Sequence, residues 1–151
     1  WENNSVGNDR GNAAWLGEGL AEFSTYCYVQ KINGPGYAER LAQRRWLVAY
    51  ELAQARGLDA VVNQPVSAFE SNYETLVYGK AALFHHALWE ILGDDGYLAL
   101  LRTYIERFRF REATPEEFLD LAVELGGPQV QEIYQRWILQ AEAPDASPDD
   151  Q

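Results

Sequence analysis

Apolar residues recur along this chain at helical steps, with glycine or proline punctuating most of the boundaries between runs. Leu16, Leu20, Phe23 and Cys27 follow at steps of four, three and four, which is one face of a helix beginning near Ala13. Asn33-Gly34-Pro35-Gly36 ends it, because Asn and Gly accept the left-handed cap conformation and Pro cannot continue a helix. Tyr37 to Arg56 reads as a second helical stretch in which Trp46, Leu47 and Tyr50 alternate with Arg44, Arg45 and Glu51, and Gly57 closes it. Its mixed charge predicts a partly exposed face.

Residues Trp1 to Asn12 are rich in Asn and Gly and have no helical period, so they read as an irregular connector. Leu58 to Asn72, broken by Pro65 and polar residues, is an ordered loop rather than a strand pair. From Val77, the residues Ala81, Phe84, His85, Leu88, Trp89 and Leu92 cover a wide apolar arc, a helix buried on most sides and capped at Gly93. Tyr97, Leu101, Tyr104, Ile105 and Phe108 give the next one. Thr114-Pro115-Glu116-Glu117 is a start signal with Thr as N-cap, Pro at the first helical position and Glu117 placed for a capping box. Phe118, Leu121, Ala122 and Leu125 form the inner face of that helix, Gly126-Gly127 stops it, and Pro128 opens a last helix with Val130, Ile133, Tyr134, Trp137 and Ile138. The expected fold is all-α, a bundle of about six helices. Residues 1–140 form one body in this reading, and 141–151, made of Ala, Pro, Asp, Ser and Glu with a terminal Gln, form a disordered acidic tail.

Composition narrows the function. A formal charge of −11 disfavours a nucleic-acid partner, since phosphate binding needs clustered Lys and Arg. The nearest cluster, Arg107, Arg109 and Arg111 alternating with Phe108 and Phe110, reads as a solvated helix end. One cysteine excludes an internal disulfide, and the place of Cys27 in an apolar stripe predicts a buried, inert thiol. No run approaches the roughly 18 apolar residues of a membrane span. There is no Met at position 1 or elsewhere, so a targeting segment is expected upstream or removed, and no compartment is assigned.

Two segments carry chemistry. Trp15-Leu16-Gly17-Glu18-Gly19-Leu20-Ala21-Glu22-Phe23 places a carboxylate just inside a helix start, and Tyr73-Glu74-Thr75-Leu76-Val77-Tyr78-Gly79-Lys80 follows about sixty residues later. Taken alone, Glu18 is a solvated residue favoured by the helix dipole and Tyr78 a packed aromatic. Together, in this order and spacing, the segments resemble those of the gluzincin aminopeptidases, the zinc metallopeptidase family that includes alanyl aminopeptidase and leukotriene hydrolase. The likeness extends through the Thr-Pro-Glu-Glu-Phe helix to Tyr134-Gln135-Arg136-Trp137-Ile138. That family's HExxH helix is absent, and the family spacing puts its second histidine just ahead of Trp1. Trp1 itself matches the tryptophan that often follows that helix, and Val6-Gly7-Asn8-Asp9 the connector of bacterial members.

The resemblance implies the helical C-terminal subdomain of a thermolysin-like catalytic domain. It makes Glu18 the third zinc ligand beside two upstream histidines, and Tyr78 the hydroxyl that stabilises the oxyanion. Tyr73 and Lys80 become supports. Glu22, one turn beyond Glu18, is either a group behind the ligand or simply exposed, and exposure is the expectation. Gly17 departs from the family's Asn or Asp at a position that does not ligate the metal, whereas Tyr78-Gly79-Lys80-Ala81 departs from Tyr-Glu-Lys-Gly, and there the local backbone is expected to differ. His85 and His86, the only histidines, point about 100° apart on a helix and cannot form a two-histidine metal face. They are read as packing residues, and without a Glu-x-x-His pair a di-iron site is excluded.

The intact parent is thus expected to hold Zn and to hydrolyse N-terminal residues from peptides. This chain alone, with one candidate ligand, is expected to be inactive, to bind no zinc stoichiometrically, and to self-associate through the face the metal helix would cover. The competing reading is a non-catalytic helical protein-interaction module derived from a peptidase.

Overall fold

The computed structural model describes residues 5–69 and 71–142. The match at Trp1 and residues 143–151 of the expected tail lie outside the described residues. Six α-helices follow in order: α1 (Ala14–Asn33), α2 (Pro35–Ala42), α3 (Val48–Ala55), α4 (Ala81–Phe108), α5 (Pro115–Gly126) and α6 (Gln129–Tyr134). Gln43–Leu47 is a π-helical turn that joins α2 to α3 without a break, so the predicted second helix is one continuous run. Two further π-helical turns, Glu74–Lys80 and Gln135–Leu139, lead into α4 and out of α6.

The glycine stops act as read. Gly34, Gly57, Gly93 and Gly127 all take positive φ, at 84°, 67°, 68° and 78°, a conformation that Gly adopts without a Cβ clash. Gly93 bends α4 into two rods in place of a clean end and restart, and the Trp89 indole N–H spans the bend to Asp94 Oδ1 at 2.7 Å. The capping box forms in both directions: Glu117 N–H donates to Thr114 Oγ1 at 3.2 Å, and Thr114 N–H to Glu117 Oε2 at 3.0 Å.

The core is aromatic. Phe23 on α1 stacks on Tyr26 at 5.4 Å between centroids and meets Tyr97 edge-on at 5.1 Å. His85 is wholly buried beside them, its Nδ1 2.9 Å from the Tyr97 hydroxyl, and burial pushes its pKa down to about 3. His86 lies at the margin, edge-on to Tyr26. Both histidines therefore pack, as expected. On α5, Phe118, Leu121 and Ala122 are buried, but Leu125, in the final turn, is 43% exposed. Cys27 is half-buried, and desolvation pushes its thiol up to about 11, so it is unreactive without being fully enclosed.

The connector is less irregular than its composition implies. An isolated parallel bridge pairs Gly7 with Glu112: Gly7 N–H donates to Arg111 O and Ala113 N–H to Gly7 O, each at 2.9 Å, and Phe110 N–H reaches Ser5 O at 2.7 Å. In the basic cluster, Arg107 forks onto Glu124 and Arg111 pairs with Glu117, while Phe110 is 78% exposed. Among the described residues no helix is long and apolar enough to cross a membrane.

Candidate functional site

Glu18 owes its position to two anchors. Trp15, three residues before it, is buried edge-on against Phe84 at 5.9 Å, and its indole N–H donates to Asn63 Oδ1 at 3.0 Å. Gly19, the next residue, lies so close to α4 that a Cβ built on it would stand 2.6 Å from the Cβ of Ala81. Only glycine lets α1 approach the start of α4 this closely. The Glu18 carboxylate is thereby carried to the turn that holds Tyr78.

Ahead of the helix, Asp9 forms a tight local turn. Its Oδ1 accepts the N–H groups of Gly11 at 2.9 Å and Asn12 at 3.2 Å, and its Oδ2 accepts the Asn12 amide at 2.7 Å. These bonds to the charged form hold the Asp9 pKa below the usual carboxylate value. The turn presents Arg10, whose guanidinium donates to Glu18 Oε1 at 3.0 Å.

Tyr78 sits on the Glu74–Lys80 π turn, with Tyr73 edge-on to it at 6.0 Å and Phe69 edge-on to Tyr73 at 5.7 Å. Desolvation first, then the negative charge of Glu18 and a hydrogen bond to it, raise the Tyr78 pKa above 10.0. Burial and Glu18 raise that of Tyr73. Glu18, Tyr73 and Tyr78 therefore lie close enough to interact.

Glu22 corrects the sequence reading. It is 8% exposed, not solvated: Trp46 Nε1 donates to its Oε1 at 3.0 Å, Arg45 Nη2 donates to Oε2 at 3.2 Å, and Arg45 Nε forms a close ion pair with it. The helix step from Glu18 to Glu22 is as expected, but the π turn at Gln43–Leu47 brings a cation and an indole donor onto that face. A cleft of about 530 Å³ opens beside these groups, lined by Glu22, Arg45, Trp46, Glu74, Thr75 and Tyr78.

Lys80, two residues past Tyr78, faces away from the cleft and is wholly buried against Asp59 at 2.8 Å. Arg10, Arg45, Trp46, Asp59 and Asn63 were not singled out from sequence as site residues. Arg10 reaches Glu18 across the Asp9 turn, eight residues on, while Arg45, Trp46, Asp59 and Asn63 act through partners 21 to 48 positions away, which no local spacing signals. Among the described residues no three His, Cys, Asp or Glu side chains converge as a metal-binding group.

The family described as "Peptidase family M1 domain" matches residues 1–137. The puromycin-sensitive aminopeptidase of Caenorhabditis elegans is 29% identical over 136 residues, covering 83% of this chain and 14% of that protein. Aminopeptidase M1-B of Oryza sativa subsp. japonica is 23% identical over 145 residues, covering 93% of this chain and 16% of that protein. The chain thus spans about a sixth or less of the length of these relatives. In fold, it resembles a two-domain M1 zinc metallopeptidase mutant solved with L-arginine bound, with a TM-score of 0.72 and 20% identity over 93% of this chain and 30% of that one. The M1 zinc metallopeptidase from Deinococcus radiodurans gives a TM-score of 0.67 at 19% identity, over 91% and 29% of the two chains.

Proposed function

The chain belongs to the M1 family of peptidases, and from that premise we propose that it is the helical part of a zinc-dependent aminopeptidase in which Glu18 is a metal ligand and Tyr78 the oxyanion donor. What carries the reading is the meeting of these two side chains from elements sixty residues apart, with Tyr78 also lining an open cleft. The names of the two relatives support an exopeptidase acting on peptide N-termini.

The donor set fits one corner of a zinc site. A carboxylate is a normal third ligand beside two histidines, and Glu18 is held where positive charge already resides, against the Arg10 guanidinium. The other ligands would come from an HExxH segment ahead of the chain. Zinc, when bound, polarises the scissile carbonyl and lowers the pKa of water toward 7.

The chain's own residues supply the rest. A peptide carbonyl under attack gathers negative charge on its oxygen, and a preorganised hydroxyl donor there contributes roughly 3 to 4 kcal/mol. A phenol keeps its proton at neutral pH, and burial with Glu18 nearby shifts Tyr78 further in that direction, so it donates throughout. Tyr73 limits the ring's freedom by packing on its edge. Glu22, tied to Arg45 and Trp46, fixes α1 against the second helical run and supports the ligand one turn away. Lys80 supports the turn from behind.

In the intact, metal-loaded protein, Tyr78→Phe should retain zinc and lose about 100-fold to 1,000-fold in kcat with KM little changed. Glu18→Gln should lose both zinc, by elemental analysis, and activity. A Tyr78→Phe variant with full kcat would overturn the catalytic reading in favour of a helical interaction module kept from a peptidase ancestor. The 151-residue chain alone is expected to show no peptidase activity and no stoichiometric zinc in equilibrium dialysis.

A further inference from the structure

Behind Tyr78 lies a charged cluster that the proposed chemistry does not use. The Lys80 ammonium has three protons and finds three acceptors: Asp59 Oδ1 at 2.8 Å, the Gln140 carbonyl at 2.7 Å and the Ala60 carbonyl at 3.3 Å. Asp59 Oδ1 also accepts the Ala60 N–H at 2.9 Å. Its Oδ2 takes the Tyr50 hydroxyl at 3.0 Å and the Glu142 N–H at 2.8 Å. The Tyr50 ring faces the ammonium at 5.2 Å. Neither the Lys80 nor the Asp59 side chain touches solvent. Four separate stretches meet here: α3, the loop at residues 59–60, the π turn, and the segment leaving α6.

Stability alone does not account for such a pair. The desolvation of two buried charges offsets most of their attraction, and an apolar replacement is often as stable; the better-attested use is to fix one arrangement among several. The element most in need of fixing is the π turn, because i→i+5 hydrogen bonding is rare and does not sustain itself. Tyr78 and Lys80 leave that turn toward opposite sides, so the depth to which Lys80 is drawn sets where the Tyr78 hydroxyl stands.

We propose that Asp59 and Lys80 are positioning residues for Tyr78: the sealed pair sets the register of the Glu74–Lys80 turn and, through Gln140 and Glu142, ties it to the segment that follows α6. The catalytic half of this inference rests on the reading of Tyr78 above.

The test is a double-mutant cycle in the intact, metal-loaded enzyme, with kcat and KM measured on an N-terminal aminoacyl chromogenic amide. Asp59→Asn, alone, should lower kcat by up to about a hundredfold, the scale of a small misplacement in the site, with KM unchanged. In a Tyr78→Phe background the same substitution should cost nothing further, since the group being positioned is gone. Tyr50→Phe, which removes one bond to Asp59 and leaves the ion pair, should show a smaller loss with the same non-additivity, and it stands in if Asp59→Asn does not fold. Hydrogen exchange of the amides of residues 74–80 should quicken in either variant while α5 is unaffected. An equal loss of kcat in both backgrounds, or unchanged exchange in the turn, would overturn this inference alone. A Tyr78→Phe enzyme with full kcat would overturn the reading of Tyr78 as well.

Discussion

On one side of the Glu74–Lys80 turn, Glu18 meets Arg10 at the surface; on the other, Asp59 meets Lys80 with no exposure at all. Both are carboxylate–cation pairs of about 3 Å, but the Arg10 side chain is 68% exposed and those of Asp59 and Lys80 are 0%. An exposed pair of this kind contributes little and exchanges its partner readily. A sealed pair cannot exchange, because every proton and both carboxylate oxygens are committed. On the proposed reading, the open side is the place for chemistry, where a cation can be traded for another, and the sealed side is the place for geometry.

The comparison is broken most severely from the sealed side. Lys80→Met leaves Asp59 charged and enclosed, and should cost about 3 to 5 kcal/mol in urea or thermal unfolding. Arg10→Met, the matching change on the open side, should leave the melt unmoved. Next in size is the contact that brings the two sides together. Gly19→Ala would drive a Cβ to within 2.6 Å of Ala81, and such overpacking costs about 1 to 3 kcal/mol. It should also separate Glu18 from Tyr78, read as a lowered Tyr78 pKa in ultraviolet titration.

A third sealed group sharpens the contrast because it has no counter-charge. His85 has a folded-state pKa of about 3 against 6.5 when exposed, so between those values the unfolded chain binds a proton that the native one refuses. Stability is full above pH 6.5 and falls on acidification toward pH 3, with a slope from this group of up to about 1.4 kcal/mol per pH unit. Unfolding free energies measured from pH 7 to pH 4 should decline less steeply in His85→Gln than in the unmutated chain.

Much of this was legible in sequence because the determinants are local. Gly34, Gly57 and Gly127 stop helices through their own backbone, and Thr114 with Glu117 closes a box within one turn. Glu18, Tyr73 and Tyr78 could be paired because family resemblance supplied the long-range link. Glu22 was misread because its burial depends on Arg45 and Trp46, which reach it only after a π turn shifts the register of the second helical run. Asp59 was invisible for the same reason: between breakers it reads as a loop acid, and only Lys80, Tyr50 and the backbone at residues 140–142 make it a hub.

The bridge between Gly7 and Glu112 has a consequence in time. Its two halves lie more than a hundred positions apart in the chain, and closing so long a loop carries an entropic cost before any contact repays it. The turn at residues 110–113 lies between the long bent helix and its capped successor, so the connector that carries Arg10 rests on backbone from that junction. The surface around Glu18 accordingly rests on a contact whose two halves are far apart in the chain.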